Sequence, residues 1–183
     1  MKPITGIILA GGKSSRMGTD KGLMFYEGRP MIQHILDPMA KICQRILIVT
    51  SNPMYGMFGF EMVQDEQPDY GPVMGVFSGL RKSETELNLV LSCDAPFVGF
   101  DLMKELVLNS DDVDAVAATS EEDVHPLIAV YNRKCISGFE QAIKENEHRL
   151  QSVLGNFSVR KLKVGEQDEV RVRNMNTKED LRV

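Results

Sequence analysis

The sequence predicts a three-layer α/β/α protein whose mostly parallel central sheet is covered by helices on both faces. Short apolar runs of strand length alternate with longer segments whose apolar residues recur at helical spacing. This alternation favours a parallel sheet, because a helix can serve as the crossover between neighbouring parallel strands. The 183 residues are predicted to form one domain over residues 1–183. A content of 43% hydrophobic and 26% charged residues excludes a disordered chain.

Each predicted strand is a short run rich in apolar residues. The first, Thr5–Ala10, ends in two glycines, as expected for a buried strand that opens into a loop. The last, Val159–Val164, alternates basic with apolar residues and is predicted to be an edge strand. The strands predicted between them are Arg45–Thr50, Glu61–Gln64, Leu87–Ser92, Ala115–Ala118 and Leu127–Tyr131.

Capping residues and apolar spacing place the helices. Pro30 is expected at the first position of a helix, and Pro38 is expected to kink or break it. Asp101 is a candidate N-cap for a helix that ends near Asn109. The other predicted helical segments are Pro72–Lys82, Arg133–Lys144, Leu150–Leu154 and a last turn through Leu181 capped by Asn176 or Thr177.

Charge and cysteine usage narrow the functional classes. With 21 Lys and Arg against 26 Asp and Glu, the net charge of −5 argues against nucleic acid as a partner. Cys43, Cys93 and Cys135 are widely spaced, so we expect reduced thiols in a cytoplasmic protein. The three histidines are too scattered for a zinc motif. The N-terminal apolar run is too short for a signal sequence or membrane span, and no membrane partner is expected.

The loop after the first predicted strand, in the segment LAGGKSSRMGTDK, is the strongest functional signal. Gly11 and Gly12 would let backbone amides approach an anion closely. Three cations follow within nine residues: Lys13, Arg16 and Lys21. This combination fits a nucleoside triphosphate, whose charge must be neutralised before it is attacked. The alternative is a solvated basic loop that holds no ligand.

Two familiar phosphate-binding loops do not match this segment. A P-loop requires glycine five residues before Gly12, where the chain has Ile7. The dinucleotide fingerprint requires glycine two residues after Gly11, where the chain has Lys13. Kinase and dehydrogenase functions are therefore disfavoured.

Two aspartates follow predicted strands and are candidates for the same site. Ligands of parallel α/β sheets bind beyond the carboxyl ends of the strands, where the glycine loop, Asp65 and Asp94 would converge. Asp94 alone is chemically sufficient for magnesium, which takes one or two carboxylates plus phosphate oxygens and water. The alternatives are that Asp94 caps the turn before Pro96 and that Lys21 or Arg16 forms a salt bridge to Asp20 or another acid.

The glycine-loop segment resembles LAGG-x-S-x-R-M-G-x-D-K, the signature of the molybdenum cofactor guanylyltransferases, within the Rossmann-like nucleotidyltransferase family. Shorter family motifs follow in the same order, and the resemblance covers nearly the whole chain. They are VQD at 63–65, GPVMG at 71–75, SCDAP at 92–96, HP at 125–126 and NMNT at 174–177.

The resemblance implies transfer of GMP from GTP to the terminal phosphate of molybdopterin cofactor, with magnesium and release of pyrophosphate. It assigns GTP binding to Leu9, Ala10, Gly11, Gly12, Lys21, Asp65 and Asp94. Arg16, Lys21 and Asp94 are then the catalytic candidates, with Asp94 also holding the metal. On the acceptor side it indicates His125, Asn174 and Asn176, and Arg149 for the acceptor phosphate.

Other partners implied by the resemblance are molybdoenzyme apoproteins or other cofactor-synthesis proteins. The chain departs from the family at two places. Where many relatives have an asparagine contact to guanosine, it offers Thr50, with Asn52 two residues on. Before Asn174, Arg171 and Arg173 make basic a segment that is usually an apolar strand.

Gly12 favours guanine, because the related cytidylyltransferases usually carry LAAG where this chain has LAGG. Three alternatives stay open at this point. The chain could be a cytidylyltransferase for the same cofactor, a sugar-phosphate nucleotidyltransferase, or a non-catalytic GTP-binding adaptor that delivers the cofactor.

Overall fold

A computed structural model describes residues 2–11, 20–64, 67, 70–121 and 123–175. In chain order, the strands of these residues are β1 (Ile4–Leu9), β2 (Phe25–Tyr26), β3 (Arg29–Pro30), β4 (Arg45–Val49), β5 (Glu61–Val63), β6 (Leu87–Ser92), β7 (Ala115–Ser120), β8 (Asp123–Asn132) and β9 (Val159–Lys163). The α-helices are α1 (Met31–Met39), α2 (Pro72–Lys82), α3 (Phe100–Leu108), α4 (Ile136–Lys144) and α5 (Leu150–Leu154). Short 3-10 helices cover Lys21–Leu23, Pro53–Phe58, Arg133–Cys135 and Glu166–Val172.

Seven strands form one sheet in the order β5-β4-β1-β6-β8-β7-β9, and β2 and β3 form a separate hairpin. Within the seven-stranded sheet, β8 runs antiparallel to β6 and β7, and the other neighbouring pairs are parallel. The mostly parallel sheet and the edge position of β9 are therefore confirmed. The carboxyl ends of β1, β4, β5 and β6 lie at one edge of the sheet, where the turn between β7 and β8 also lies.

The sheet buries a separate apolar cluster on each face, which confirms the three layers. Helices α1 and α3 contribute to one cluster, and α2, α4 and α5 contribute to the other. The six residues of β1 are all buried and alternate between the faces, so that Ile8 packs with α1 while Ile7 packs with α2. In the described part of the chain, no helix is long and apolar enough to cross a membrane.

Two predicted helix starts are wrong by one or two residues. Pro30 is the N-cap of α1 with extended backbone, and the helix begins at Met31. Pro38 lies in the last turn, where the helix ends at the next residue, as expected for a residue without an N–H. Asp101 lies in the first turn of α3, whereas Gly99 is the N-cap and its carbonyl accepts the first helical hydrogen bond.

Further differences concern lengths and loops. The predicted helix over Arg133–Lys144 is a 3-10 turn followed by α4, and the predicted loop after β4 contains the 3-10 helix Pro53–Phe58. The basic segment before Asn174 belongs to a 3-10 helix rather than a strand. The predicted turn through Leu181 lies outside the described residues.

Strands β7 and β8 form a hairpin with an irregularity at Pro126. Ala117 pairs with Ala129, but the next residue, Ala118, pairs with His125. The intervening residues of β8 bulge out of this ladder, because proline has no N–H to donate to it. The hydroxyl of Tyr131 donates to the carbonyl of Pro126 at 2.8 Å and fixes the bulge from within the core.

Candidate functional site

The glycine loop begins where β1 leaves the sheet. The side chains of Leu9 and Ala10 are buried, whereas Gly11 is exposed at the sheet edge. The Ala10 amide donates to the Val49 carbonyl at 2.9 Å. Leu9 and Ala10 could thus meet a nucleotide only through their backbone, and the exposed position next to them is Gly11.

Lys21 and Asp94 meet across this edge of the sheet. Lys21 begins the 3-10 helix after the loop, and Asp94 lies in the turn after β6. The Lys21 Nζ is 3.3 Å from Asp94 Oδ2, with 28% and 13% of the two side chains exposed. Ser92, which we did not predict, donates its hydroxyl to Asp94 Oδ1 at 2.5 Å. The two groups predicted for phosphate and metal binding are therefore adjacent. The contact of Lys21 with Asp94 is also a salt bridge to an acid, which was the alternative to a phosphate role for Lys21.

Asp20 is held by residues of the loop after β4. Its Oδ2 accepts a hydrogen bond from the Asn52 amide at 3.1 Å. Its Oδ1 accepts from the Tyr55 hydroxyl and, at 3.2 Å, from the Gly22 backbone. Tyr55 is fully buried, and burial raises the pKa of its hydroxyl, as do the neighbouring Cys93 and Asp20. The hydroxyl therefore stays protonated at neutral pH and donates a hydrogen bond to Asp20.

Tyr55 carries no sequence pattern that would have revealed this contact. It is 35 residues from Asp20, in a segment without helical or strand periodicity. The two residues considered for a nucleoside contact also have structural roles. Thr50 is 5% exposed and accepts from the Asn52 backbone at 3.1 Å, and the Asn52 carbonyl oxygen caps Pro53–Phe58.

Several predicted site residues lie outside the described part of the chain. They are Gly12, Lys13, Arg16, Asp65 and Asn176. Their assignments stay predictions.

A cavity of about 350 Å³ lies next to this site, on the side of the β8 bulge. Its lining includes the predicted acceptor residues His125, Arg149 and Asn174. The residue after Asn174, Met175, donates its amide to the Asp94 carbonyl at 2.7 Å. This hydrogen bond places the cavity beside the turn that carries Asp94.

The cavity lining includes the cation of Arg149 and two imidazoles, those of His125 and His148. His125 Nε2 is 2.6 Å from the Ser120 hydroxyl. Burial lowers the pKa of His125, although the Asp123 carboxylate opposes this effect. Its imidazole is therefore a neutral hydrogen-bonding group at pH 7, and Arg149 contributes a permanent positive charge to the cavity lining. Arg171 and Arg173, which make basic the segment before Asn174, are exposed and do not line this cavity.

The described residues contain no group of three or more His, Cys, Asp or Glu side chains that could enclose a metal ion. A single carboxylate at Asp94 nevertheless suits magnesium, which commonly binds one or two carboxylates together with substrate phosphates and water. The donor chemistry of Asp94 therefore fits magnesium bound together with the phosphates of a nucleotide.

Comparison with known proteins identifies relatives along the whole chain. A family model described as the MobA-like NTP transferase domain matches residues 6–163. A probable molybdenum cofactor guanylyltransferase of Flavobacterium johnsoniae is 33% identical over 99% of this chain and 96% of its own length. The molybdenum cofactor guanylyltransferase of Desulfosudis oleivorans is 30% identical, with coverage of 99% and 94%.

The fold is shared with the solved structure of molybdopterin-guanine dinucleotide biosynthesis protein A from Archaeoglobus fulgidus. The TM-score is 0.82 at 20% sequence identity, and the match covers 97% of this chain and 95% of that chain. At this identity the match establishes the common architecture. It confirms the predicted Rossmann-like nucleotidyltransferase fold.

Proposed function

This chain belongs to the MobA-like NTP transferase family, and from that premise we propose that it transfers GMP from GTP to the terminal phosphate of molybdopterin cofactor and releases pyrophosphate. The observation that carries the proposal is the meeting of Lys21 and Asp94, 3.3 Å apart, beyond the carboxyl ends of β1 and β6. The names of the full-length relatives support guanine as the base and molybdenum cofactor as the acceptor.

The reaction requires positioning and charge neutralisation more than a protein nucleophile. An oxygen of the acceptor's phosphate monoester forms a bond to the α-phosphorus of GTP, and the bond from that phosphorus to the bridging oxygen breaks. The electron pair leaves with pyrophosphate. A phosphate monoester is already largely dianionic at neutral pH, because its second pKa is about 6. The protein must therefore bring two anions together, as Lys21 and the other cations of the loop can do.

Magnesium is the metal that the donor set favours. Asp94 would hold it together with phosphate oxygens and water, and the bound ion would neutralise charge that develops on the phosphates. Ser92 orients the carboxylate by its hydrogen bond to Oδ1, so that Oδ2 faces the site. Lys21, which pairs with Oδ2, lies where its ammonium can contact a phosphate of the nucleotide.

The acceptor is assigned to the cavity of about 350 Å³ beside Asp94. Arg149 can pair with the acceptor phosphate, and the amide of Asn174 suits the mixed donors and acceptors of a pterin ring. His125, neutral at pH 7, can hydrogen-bond without adding charge. The three cysteines are buried and free, which supports the cytoplasmic location that we propose.

The test is a transfer assay with α-labelled GTP, magnesium and molybdopterin cofactor, run in parallel with CTP, ATP and UTP. We expect magnesium-dependent label in the dinucleotide product and one pyrophosphate released per transfer, with GTP preferred. Preference for CTP would make the chain a cytidylyltransferase instead. Nucleotide binding without pyrophosphate release would make it an adaptor.

A further inference from the structure

Asp20 is a carboxylate beside a site built for anions. It precedes Lys21 directly and is partly exposed. A carboxylate that faced the triphosphate would repel it, because like charges at short range disfavour binding. The orientation of this side chain therefore matters to a site that must collect phosphates.

Two side chains from the loop after β4 donate hydrogen bonds to the Asp20 carboxylate and fix its orientation. Asn52 donates its amide to Oδ2 at 3.1 Å, and the Tyr55 hydroxyl donates to Oδ1. We call Asp20, Asn52 and Tyr55 the Asp20 clamp. Both donors are themselves fixed, because Tyr55 is fully buried and Asn52 caps the 3-10 helix that contains Tyr55.

The Asp20 clamp also fixes the backbone on which Lys21 stands. Asp20 Oδ1 accepts from the Gly22 amide at 3.2 Å and so caps the 3-10 helix that begins at Lys21. Gly22 lies against the Tyr55 hydroxyl and the Cys93 side chain, so closely that a Cβ at residue 22 would collide with that hydroxyl. The main chain of Lys21 and Gly22 is thus wedged between the loop after β4 and the turn after β6.

We propose that Tyr55 is a positioning residue for the triphosphate: its buried hydroxyl, together with the Asn52 amide, holds Asp20 and thereby fixes the backbone from which Lys21 reaches Asp94 and the nucleotide. The inference rests on the proposed function for the identity of that nucleotide. Tyr55 touches neither substrate nor metal in this assignment. It acts through Asp20 and Lys21.

The test is a double-mutant cycle on nucleotide affinity, measured by titration with magnesium and a fluorescent GTP. Tyr55→Phe keeps the ring and removes the hydroxyl, and we expect it to weaken GTP binding by about tenfold, since small displacements of binding groups have effects of this size or larger. In a Lys21→Ala background, the same change should weaken binding by less than about twofold, because the group that Tyr55 positions is gone.

A structural role alone gives a different result. If Tyr55→Phe weakens GTP binding equally in both backgrounds, or leaves it unchanged, the proposal is wrong. Thr5→Val is the matched control, because it removes a buried hydroxyl that accepts a 2.8 Å hydrogen bond from Thr85 at the opposite edge of the sheet. It should leave GTP affinity unchanged. If Tyr55→Phe does not fold, Asn52→Ala enters the same cycle with the same expected outcomes.

The cycle also separates this proposal from the proposed function. It is run with whichever of GTP, CTP, ATP and UTP the wild-type protein binds most tightly. Preference for another nucleotide contradicts the assignment of guanine, while the coupling between Tyr55 and Lys21 is still measured. If the wild-type protein binds none of the four, both proposals fail.

Discussion

Lys21 Nζ lies 3.3 Å from Asp94 Oδ2, so the cation assigned to the triphosphate neutralises the carboxylate assigned to the metal. Lys21 begins a 3-10 helix and Asp94 lies in the turn after β6, 73 residues apart in sequence, and both side chains are largely shielded from solvent. Because the two charges are paired, the edge of the sheet that we assign to the nucleotide does not hold an uncompensated carboxylate.

Asp94→Ala should abolish most GMP transfer but should strengthen the binding of GTP in the absence of metal. With magnesium, we expect transfer to fall by about a hundredfold or more, because charge stabilisation in the reaction is lost. In EDTA, we expect GTP to bind about two- to tenfold more tightly, because the variant lacks a carboxylate that repels phosphates and competes for Lys21. Transfer assays and calorimetry in the two buffers measure these effects.

The control for Asp94→Ala is its thermal unfolding, which should stay close to that of the wild-type protein. Near-wild-type transfer by the folded variant would remove the metal assignment. Weaker binding in EDTA would show that Asp94 does not compete with the nucleotide for Lys21.

Gly22→Ala should destabilise the protein and weaken GTP binding. The added methyl group would collide with the Tyr55 hydroxyl and lie 3.1 Å from Cys93 Cβ, so the chain around Lys21 must move. We expect a loss of about 1–3 kcal/mol in the free energy of unfolding. Gly165→Ala is the matched control, because a Cβ there meets nothing within 4 Å. Equal stability of the two variants in urea titrations would contradict the tight packing at Gly22.

Tyr131→Phe should weaken the binding of the acceptor and leave the binding of the nucleotide unchanged. The change removes the hydrogen bond to the Pro126 carbonyl but keeps the ring packed against Phe139. We expect a loss of about 1 kcal/mol in the free energy of unfolding, together with a higher KM for molybdopterin cofactor. Affinity for GTP, measured separately, should not change. A raised KM for GTP alone would show that the bulge does not shape the acceptor cavity.

Acidification should destabilise the protein in part through His125. Its pKa is lowered from 6.5, mainly by burial, so the unfolded chain takes up a proton before the folded one does. The contribution of His125 to the free energy of unfolding is fully present above the pKa of His125 in the unfolded chain. It is lost as the pH falls from about 6.5 towards the lower pKa of His125 in the folded protein. His125→Gln should therefore show a shallower decrease in melting temperature between about pH 7 and pH 5. An unchanged slope would contradict this assignment.

The sequence was sufficient for the central strands and for placing Lys21 and Asp94 at the same edge of the sheet, but it did not predict their ion pair. The runs of β1 and β6 are apolar because both faces of these strands are covered, and parallel strands place the residues that follow them at one edge. The start of α3 was not predictable from Asp101, because Gly99 supplies the first helical carbonyl. No local pattern indicates a long-range contact such as that of Tyr55 with Asp20.

The β8 bulge was likewise invisible in the sequence pattern. Pro126 indicates that one hydrogen bond of the β-ladder is missing, because proline has no N–H. It does not indicate how far the register between β7 and β8 shifts. The shift is defined by Tyr131, whose hydroxyl reaches the Pro126 carbonyl from the core. The sequence therefore identified His125 and Pro126 as a motif, but it did not indicate that both residues line a cavity.

Because β8 runs antiparallel to its neighbours, the two assigned substrate sites lie on different parts of the sheet. One part is the set of parallel strands, and the other is the β7–β8 hairpin. The groups that we assign to the nucleotide follow strands of the parallel half of the sheet, whereas the bulged wall that we assign to the second substrate belongs to the β7–β8 hairpin. Exchange of the β7–β8 hairpin between relatives should therefore change which phosphate monoester is accepted and leave the nucleotide preference unchanged.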